Sequence, residues 1–276
     1  MKIGIIGLGL IGGSLGLSLK NEKLISCVSG LDLNKEHEQK ALELGLVHEI
    51  LTLDEMKKKC DMIFLAIPVE AIIKIVKDLE DIDENTTIID LGSTKEKIIE
   101  AVPEKIRQNF IPAHPMAGTE YSGPQAAFPG LFKDAVVIIC DFKESSEKHV
   151  KRCVELFSHI GMKIVFMSAK EHDHRTSVIS HLPHVISFSL ASSVLKKENK
   201  KDIIALGGTS FKDMIRIAKS SPVMWSDIFK QNKDNLINAI DMFKKELEDC
   251  EILVKNEKWD ELKDWMSEAR KIREIL

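Results

Sequence analysis

Hydrophobic and polar positions follow two regimes along the chain. Up to about residue 167, short apolar, β-branched runs recur: KIGIIG (2–7), CVSGLD (27–32), DMIFLAI (61–67), TTIIDLG (86–92), FIPAHP (110–115), AVVIIC (135–140) and KIVFM (163–167). Between them the apolar residues fall at helical spacing, over 12–20, 34–44, 69–80, 94–101 and near 145–160. Strands that are apolar throughout, set between amphipathic helices, predict an α/β fold with a mostly parallel sheet buried on both faces.

After residue 168 the strand signals stop. Helical patterns run over roughly 170–197, 200–206, 211–219, 222–249 and 256–274, with breaks at Gly207, Gly208 and Pro222 and with Pro183 inside the first. The boundary is placed here, giving an α/β domain over 1–168 and an all-α domain over 169–276. A stripe such as Ile228, Leu236, Ile240, Phe243 and Leu247 has no sheet to cover, so it must pack on other helices, those of a second subunit among them.

Composition narrows the reading. The formal net charge is −4, from 39 basic and 43 acidic side chains, and this balance argues against a nucleic-acid binder. Only six of the basic residues are arginine, so an arginine inside an apolar pattern needs a reason. The five cysteines form no CxxC pair, which reads as reduced thiols in a cytoplasmic protein rather than disulfides or zinc ligands. No uninterrupted apolar run of about 18 residues is present, so no membrane span is expected, and the glycines spaced through the N-terminus are unlike a signal peptide.

Those glycines carry the first chemistry. Gly7-x-Gly9-x-x-Gly12 follows a strand directly and opens a helix. Gly7 permits the tight turn, Gly9 lets the backbone approach a pyrophosphate, and Gly12 lets the helix pack on the strand. Leu10 and Ile11 join the cofactor-binding set, and the helix N-terminus offers free N–H groups to phosphate. Asp32 ends the next strand about 20 residues on, where an acid binds ribose hydroxyls. It would repel a 2′-phosphate, which favours NAD over NADP, although Lys35 is near. Pro68 stands either beside the cofactor trough or simply in a strand-to-helix turn. Ser93 and Thr94 sit at the carboxyl end of a strand, where ligands bind, and are equally suited to cap a helix.

His114 ends the strand FIPAHP, so it shares a rim with Gly9 and Ser93 and can act there as a base or acid. The segment that follows, AGTEYSGP, has Gly118, Thr119 and Glu120 at its start and is rich enough in turn-forming residues to fold over a ligand. In the helical half, SVISHLPH sets Ser180 and His184 at i and i+4 with His181 one step around, and Pro183 is expected to kink that helix and free a carbonyl. Arg216 lies among Met214, Ile215 and Ile217. It suits a carboxylate ligand, or an ion pair with Asp213 or another acid. His172, His174, His181 and His184 have no zinc-ligand spacing, so no metal is expected.

Taken in order, GLGLIGGS, DLGSTK, HPMAGTEYSG, SHLPH and FKDMIRIAKSSPVMW resemble the prephenate/arogenate dehydrogenase family, over about residues 2–235. The resemblance implies a Rossmann NAD-binding domain, a helical domain that forms a homodimer, and oxidative decarboxylation of prephenate to 4-hydroxyphenylpyruvate on the route to tyrosine. It implies that His114 meets the ring hydroxyl and that Ser93 is a catalytic-site serine next to it and the nicotinamide. Arg216 would grip a substrate carboxylate, with Ser180 and His184 lining the pocket and Glu120 at its mouth. It implies no fused chorismate mutase or ACT domain within these residues. The alternatives are arogenate as substrate, another two-domain dehydrogenase, or an NAD-binding dimeric sensor without catalysis.

Overall fold

The computed structural model describes residues 1–20 and 22–275. Eight strands form one sheet: β1 (Lys2–Ile6), β2 (Cys27–Leu31), β3 (Glu49–Ile50), β4 (Met62–Leu65), β5 (Thr87–Asp90), β6 (Phe110–Pro115), β7 (Val136–Cys140) and β8 (Lys163–Met167), in the order β3-β2-β1-β4-β5-β6-β7-β8. Every pairing is parallel except β6 with β7, where His114 faces Ile138. No helix crosses between those two strands. The chain runs out along residues 116–135 and returns, which permits antiparallel pairing.

The helices are α1 (Leu10–Leu19), α2 (Lys35–Glu43), α3 (Leu53–Lys59), α4 (Val69–Ile75), α5 (Glu96–Ala101) and α6 (Glu147–His159) around the sheet, then α7 (Ala169–Thr176), α8 (Leu182–Lys197), α9 (Lys200–Leu206), α10 (Thr209–Ile215), α11 (Pro222–Gln231), α12 (Lys233–Lys255) and α13 (Trp259–Ala269). Period-2 alternation sorts the strands into two cores. Ile3, Ile5, Phe64 and Ile111 enter one, where the Phe157 ring of α6 meets Phe64 edge-on at 6.3 Å. Ile6, Ile63, Leu65, Ile88 and Phe110 enter the other.

β3 and α3 are absent from the periodicity reading. β3 is two residues long, too short for a pattern. α3 does carry a local signal: the Thr52 hydroxyl accepts from Glu55 N–H while the Glu55 carboxylate accepts from Thr52 N–H, a capping box legible as T-L-D-E.

Pro183 does not produce a simple kink. The five residues before α8, Ser177–His181, form a π turn in which Leu182 N–H donates to Ser177 O. Widening the turn accommodates a residue without an N–H. The stripe expected over 222–249 as one helix is interrupted at Asn232, whose backbone leaves the helical region and whose amide turns inward to donate to Asp173 O at 2.7 Å.

Two compact units result, Met1–Asn232 and Lys233–Leu276. The first holds the sheet together with α7–α11, so the change of texture near residue 168 lies within it; the second holds α12 and α13. One helical run, Ala169–Lys197, is long and apolar enough to cross a membrane by length and composition. One side of that run buries His172, Asp173, Thr176, Ser177 and His181 within the first unit, and Ile179 and Leu195 are exposed. A polar buried side and an apolar exposed one suit contact with protein. All five thiols are unpaired, and Cys60, Cys140 and Cys153 are buried.

Three interactions lock the helices onto the carboxyl edge of the sheet. Asp227 of α11 accepts from Glu70 N–H at 3.0 Å, at the start of α4. Asp173 of α7 accepts from Lys95 and Glu96 N–H at 2.8 and 2.9 Å, at the start of α5. The Lys95 ammonium, fully buried, pairs with Asp90 at the end of β5 and donates to Ala113 O of β6 at 2.8 Å. Lys95→Met should therefore strand the Asp90 carboxylate and cost on the order of 3–5 kcal/mol. Urea unfolding of the variant beside the wild type measures this; a loss below about 1 kcal/mol would contradict it.

Candidate active site

The strand order reverses at β1, which lies between β2 and β4, and ligands of such sheets bind in the crevice at the carboxyl ends of the strands there. The glycine loop occupies that crevice. Gly7 has φ +95°, and a Cβ there would come within 2.3 Å of Ala66 O. A Cβ on Gly12 would strike Gly7 O at 1.9 Å, so α1 can sit this close only with glycine. A Cβ on Gly9 would meet nothing within 4 Å. That open space, at the N-terminus of α1, is where a pyrophosphate fits. Leu10 and Ile11 form the first turn of α1.

Asp32 lies against the same loop. Its carboxylate accepts from Leu8 N–H at 2.8 Å and from Asn34 N–H at 2.9 Å, and both bonds hold it at the loop. Lys35 is engaged by Glu38 at 2.8 Å, which leaves the acid to dominate the charge at this edge. Pro68 occupies the cap position of α4, just past β4. These residues fit a dinucleotide with free ribose hydroxyls.

Ser93 follows the end of β5 and His114 is the last residue but one of the paired strand β6, and no hydrogen bond joins them among the described residues. Neither Ser93 nor Thr94 caps α5; Asp173 does so instead. His114 is buried, and its Nδ1 lies 2.8 Å from Nε2 of His172. The His172 Nδ1 lies 2.7 Å from Oδ1 of Asp173. The Nε2 of His114 has no hydrogen bond among the described residues.

The helical residues gather near this rim. His184 Nδ1 donates to Ser180 O at 3.0 Å, so the pair expected at i and i+4 is joined through the serine carbonyl. The His184 ring stacks on Trp225, centroids 3.4 Å apart. The His181 ring meets Trp225 edge-on at 6.0 Å, and its Nδ1 accepts from the Asn232 amide at 3.3 Å. Arg216 pairs with Glu120 at 3.5 Å rather than with Asp213, and its guanidinium is more than half exposed, available to a ligand. Gly118 and Thr119 are exposed, and the Thr119 hydroxyl accepts from Tyr121 N–H at 3.3 Å to shape the turn.

His172, Asp173 and Asn232 lie beside this site although no motif contained them, and Lys95 and Trp225 end the motifs DLGSTK and FKDMIRIAKSSPVMW without having been given a role. His172 entered the sequence reading only within a rejected metal set. The one signal was polarity where helical spacing demands a buried stripe: His172, Asp173, Thr176 and Ser177 share the inward side.

Burial shapes the electrostatics. Desolvation holds His114 well below the ordinary imidazole range, and His172, Lys95 and His181 push the same way. Burial also lowers His172, with Asp173 opposing it. His181 and His149 are pushed down to about 4, and His184 is lowered. Desolvation raises Asp90 to about 6 against the pull of Lys95. At neutral pH the site therefore holds neutral imidazoles.

Two family models match: "Prephenate dehydrogenase, nucleotide-binding domain" over residues 15–166 and "Prephenate dehydrogenase, dimerization domain" over 168–268. A prephenate dehydrogenase of Bacillus subtilis is 33% identical over 99% of this chain and 75% of its own length. A cyclohexadienyl dehydrogenase of Zymomonas mobilis is 31% identical, covering 99% of this chain and 95% of its own. Among solved structures, a prephenate dehydrogenase from Aquifex aeolicus in complex with hydroxyphenyl propionate and NAD+ aligns with a TM-score of 0.92 at 32% identity, over 99% of this chain and 97% of that one. A Synechocystis arogenate dehydrogenase aligns at 0.80 and 26%, over 99% of both chains.

The lowered histidines link stability to pH. Their folded-state pKa values lie below the ordinary 6.5. Between those values and 6.5 the unfolded chain binds protons that the folded chain refuses, so stability is lost as pH falls through that window. Asp90, raised to about 6, acts oppositely down to 3.8, and Glu96, also raised by burial, acts the same way, but they are two groups against five. Thermal melts should show Tm falling between about pH 7 and pH 5; a constant or rising Tm on acidification would refute this balance.

Proposed function

The chain belongs to the prephenate dehydrogenase family, and on that footing we propose that it is an NAD-dependent enzyme that converts prephenate to 4-hydroxyphenylpyruvate and CO2, with His114 as the base. The observation that carries this reading is a buried, neutral imidazole at the sheet's carboxyl rim, one nitrogen tied to His172 and the other unbonded. Gly7, Gly9, Leu10, Ile11, Gly12, Asp32, Pro68 and Ser93 would hold the cofactor. Bound there, NAD supplies the two-electron acceptor.

The protein's part is proton handling and placement. His114 Nε2 accepts the proton of the ring hydroxyl, so electron density moves toward the carbon as it becomes a carbonyl. Loss of CO2 leaves its bonding pair in the ring, which becomes aromatic with the oxygen as phenolate. Prephenate carries two charges and the products carry one beside the reduced cofactor, so no net proton is released. His114 returns its proton to the phenolate oxygen. Arg216 binds a carboxylate and fixes the ring's position, an orientation that lowers the barrier. Glu120 holds Arg216 at the mouth, with Gly118 and Thr119 in the same loop; Ser180 and His184 form the wall.

Arogenate is the second reading, because the Glu120 carboxylate offers an ammonium group a partner. A sensor that binds NAD without turnover has no use for the imidazole pair at the rim. The exposed apolar residues of α8–α13 support a homodimer formed through the helical half, and the unpaired thiols support a cytoplasmic setting.

NADH formation followed with prephenate and with arogenate, each with NAD and NADP, tests the reading. Prephenate with NAD is expected to give the highest kcat/KM; a preference for arogenate corrects the substrate, and no turnover with either removes the enzyme reading. His114→Asn should lose on the order of 10²–10⁴ in kcat while binding NAD normally. Arg216→Gln should raise KM for prephenate at least about tenfold with KM for NAD unmoved; an unchanged prephenate KM would make the arginine structural.

A further inference from the structure

We propose that His172 and Asp173 are positioning residues that fix which nitrogen of His114 is bare, so that Nε2 always faces the substrate as an acceptor. This deepens the reading of His114 as base and rests on it.

The direction of each proton follows from Asp173. Its Oδ1 receives Lys95 N–H at 2.8 Å and its Oδ2 receives Glu96 N–H at 2.9 Å. Backbone amides cannot reverse, so each oxygen accepts from a fixed donor, an arrangement that stabilises the carboxylate over the acid. The His172 Nδ1, 2.7 Å from the same Oδ1, must then carry a proton. A neutral His172 therefore has a lone pair at Nε2. His114 Nδ1, 2.8 Å away, must donate to it. Neutral His114 is thus left with its only lone pair at Nε2.

His172 and Asp173 are both almost wholly buried, and their bonds run directly from side chain to side chain. The Asn232 amide donates to Asp173 O at 2.7 Å and holds the backbone of that residue in place. Once His114 accepts the substrate's proton, Nδ1 still donates to His172, with the Asp173 charge behind it. The proton is kept at His114 and goes back to the phenolate, so the chain of bonds orients and stabilises without carrying a proton away.

Two substitutions separate positioning from packing. In His172→Gln the amide can donate to Asp173 and accept from His114 Nδ1, keeping the polarity. In His172→Asn the amide still reaches Asp173 but is too short to reach His114. With prephenate and NAD, His172→Asn should lower kcat about 10²-fold or more, while His172→Gln stays within about tenfold of wild type. KM for prephenate and Kd for NAD should change little in either, and thermal melts check that both fold. Equal kcat in the two variants, or an Asn variant as active as wild type, overturns the proposal. His114→Asn assayed alongside tells the two failures apart. If it is inactive while His172→Asn is active, the positioning role alone falls; if it is active, the base reading falls with it.

Discussion

The carboxylate of Asp173 is the constraint on which the site depends. It is an anion with almost no exposure, and such a group is tolerated only when its lone pairs are filled. Here the donors come from two parts of the chain: the Lys95 and Glu96 amides after β5, and the His172 ring of its own helix. The same charge that caps α5 therefore docks α7 on the sheet and sets His172 next to His114. Remove it, and the fold of the rim and the chemistry of the rim fail together.

Lys95 shows the same economy. Its amide serves Asp173 while its ammonium serves Asp90 and Ala113 O, one residue before His114. Desolvating an ion pair gains little stability over an apolar pair. What this pair does is tie β5 to β6 at the residue that must not move. The antiparallel turn between β6 and β7 adds the other requirement. Because residues 116–135 return without a crossover helix, Gly118, Thr119 and Glu120 project beyond the rim, where Glu120 meets Arg216 from the helical half.

Much of this was legible in the sequence, for physical reasons. Strands buried on both faces announce themselves as apolar runs. The turn after β1 needs glycine, and His114 follows from its place at a strand's end. Other residues were hidden because their role is tertiary. EHDHRTS has no apolar residue to mark an inward side; the Lys95–Glu96 amides are what make Asp173 a core residue. Trp225 and Asn232 look like ordinary helix positions until His184 stacks on one and Asp173 O draws in the other. The break at 232 escaped the pattern because apolar periodicity continues across it. The pairing of Arg216 with Glu120, ninety-six residues apart, could not be chosen from spacing over Asp213.

A deeply buried histidine is a weak base, and the proposed reaction explains why that suffices. Burial lowers His114 because the protonated form loses water's stabilisation. An enzyme that had to discard the proton into solvent would need a base poised near the working pH. In oxidative decarboxylation the proton is only borrowed, since the aromatic ring first forms as a phenolate, a far stronger sink with a pKa near 10, and takes the proton back. The base need hold the proton only while charge shifts across the ring. The His172–Asp173 pair supplies that brief stabilisation from inside the protein. The site can then stay dry, and at neutral pH the imidazole stays in the form that accepts.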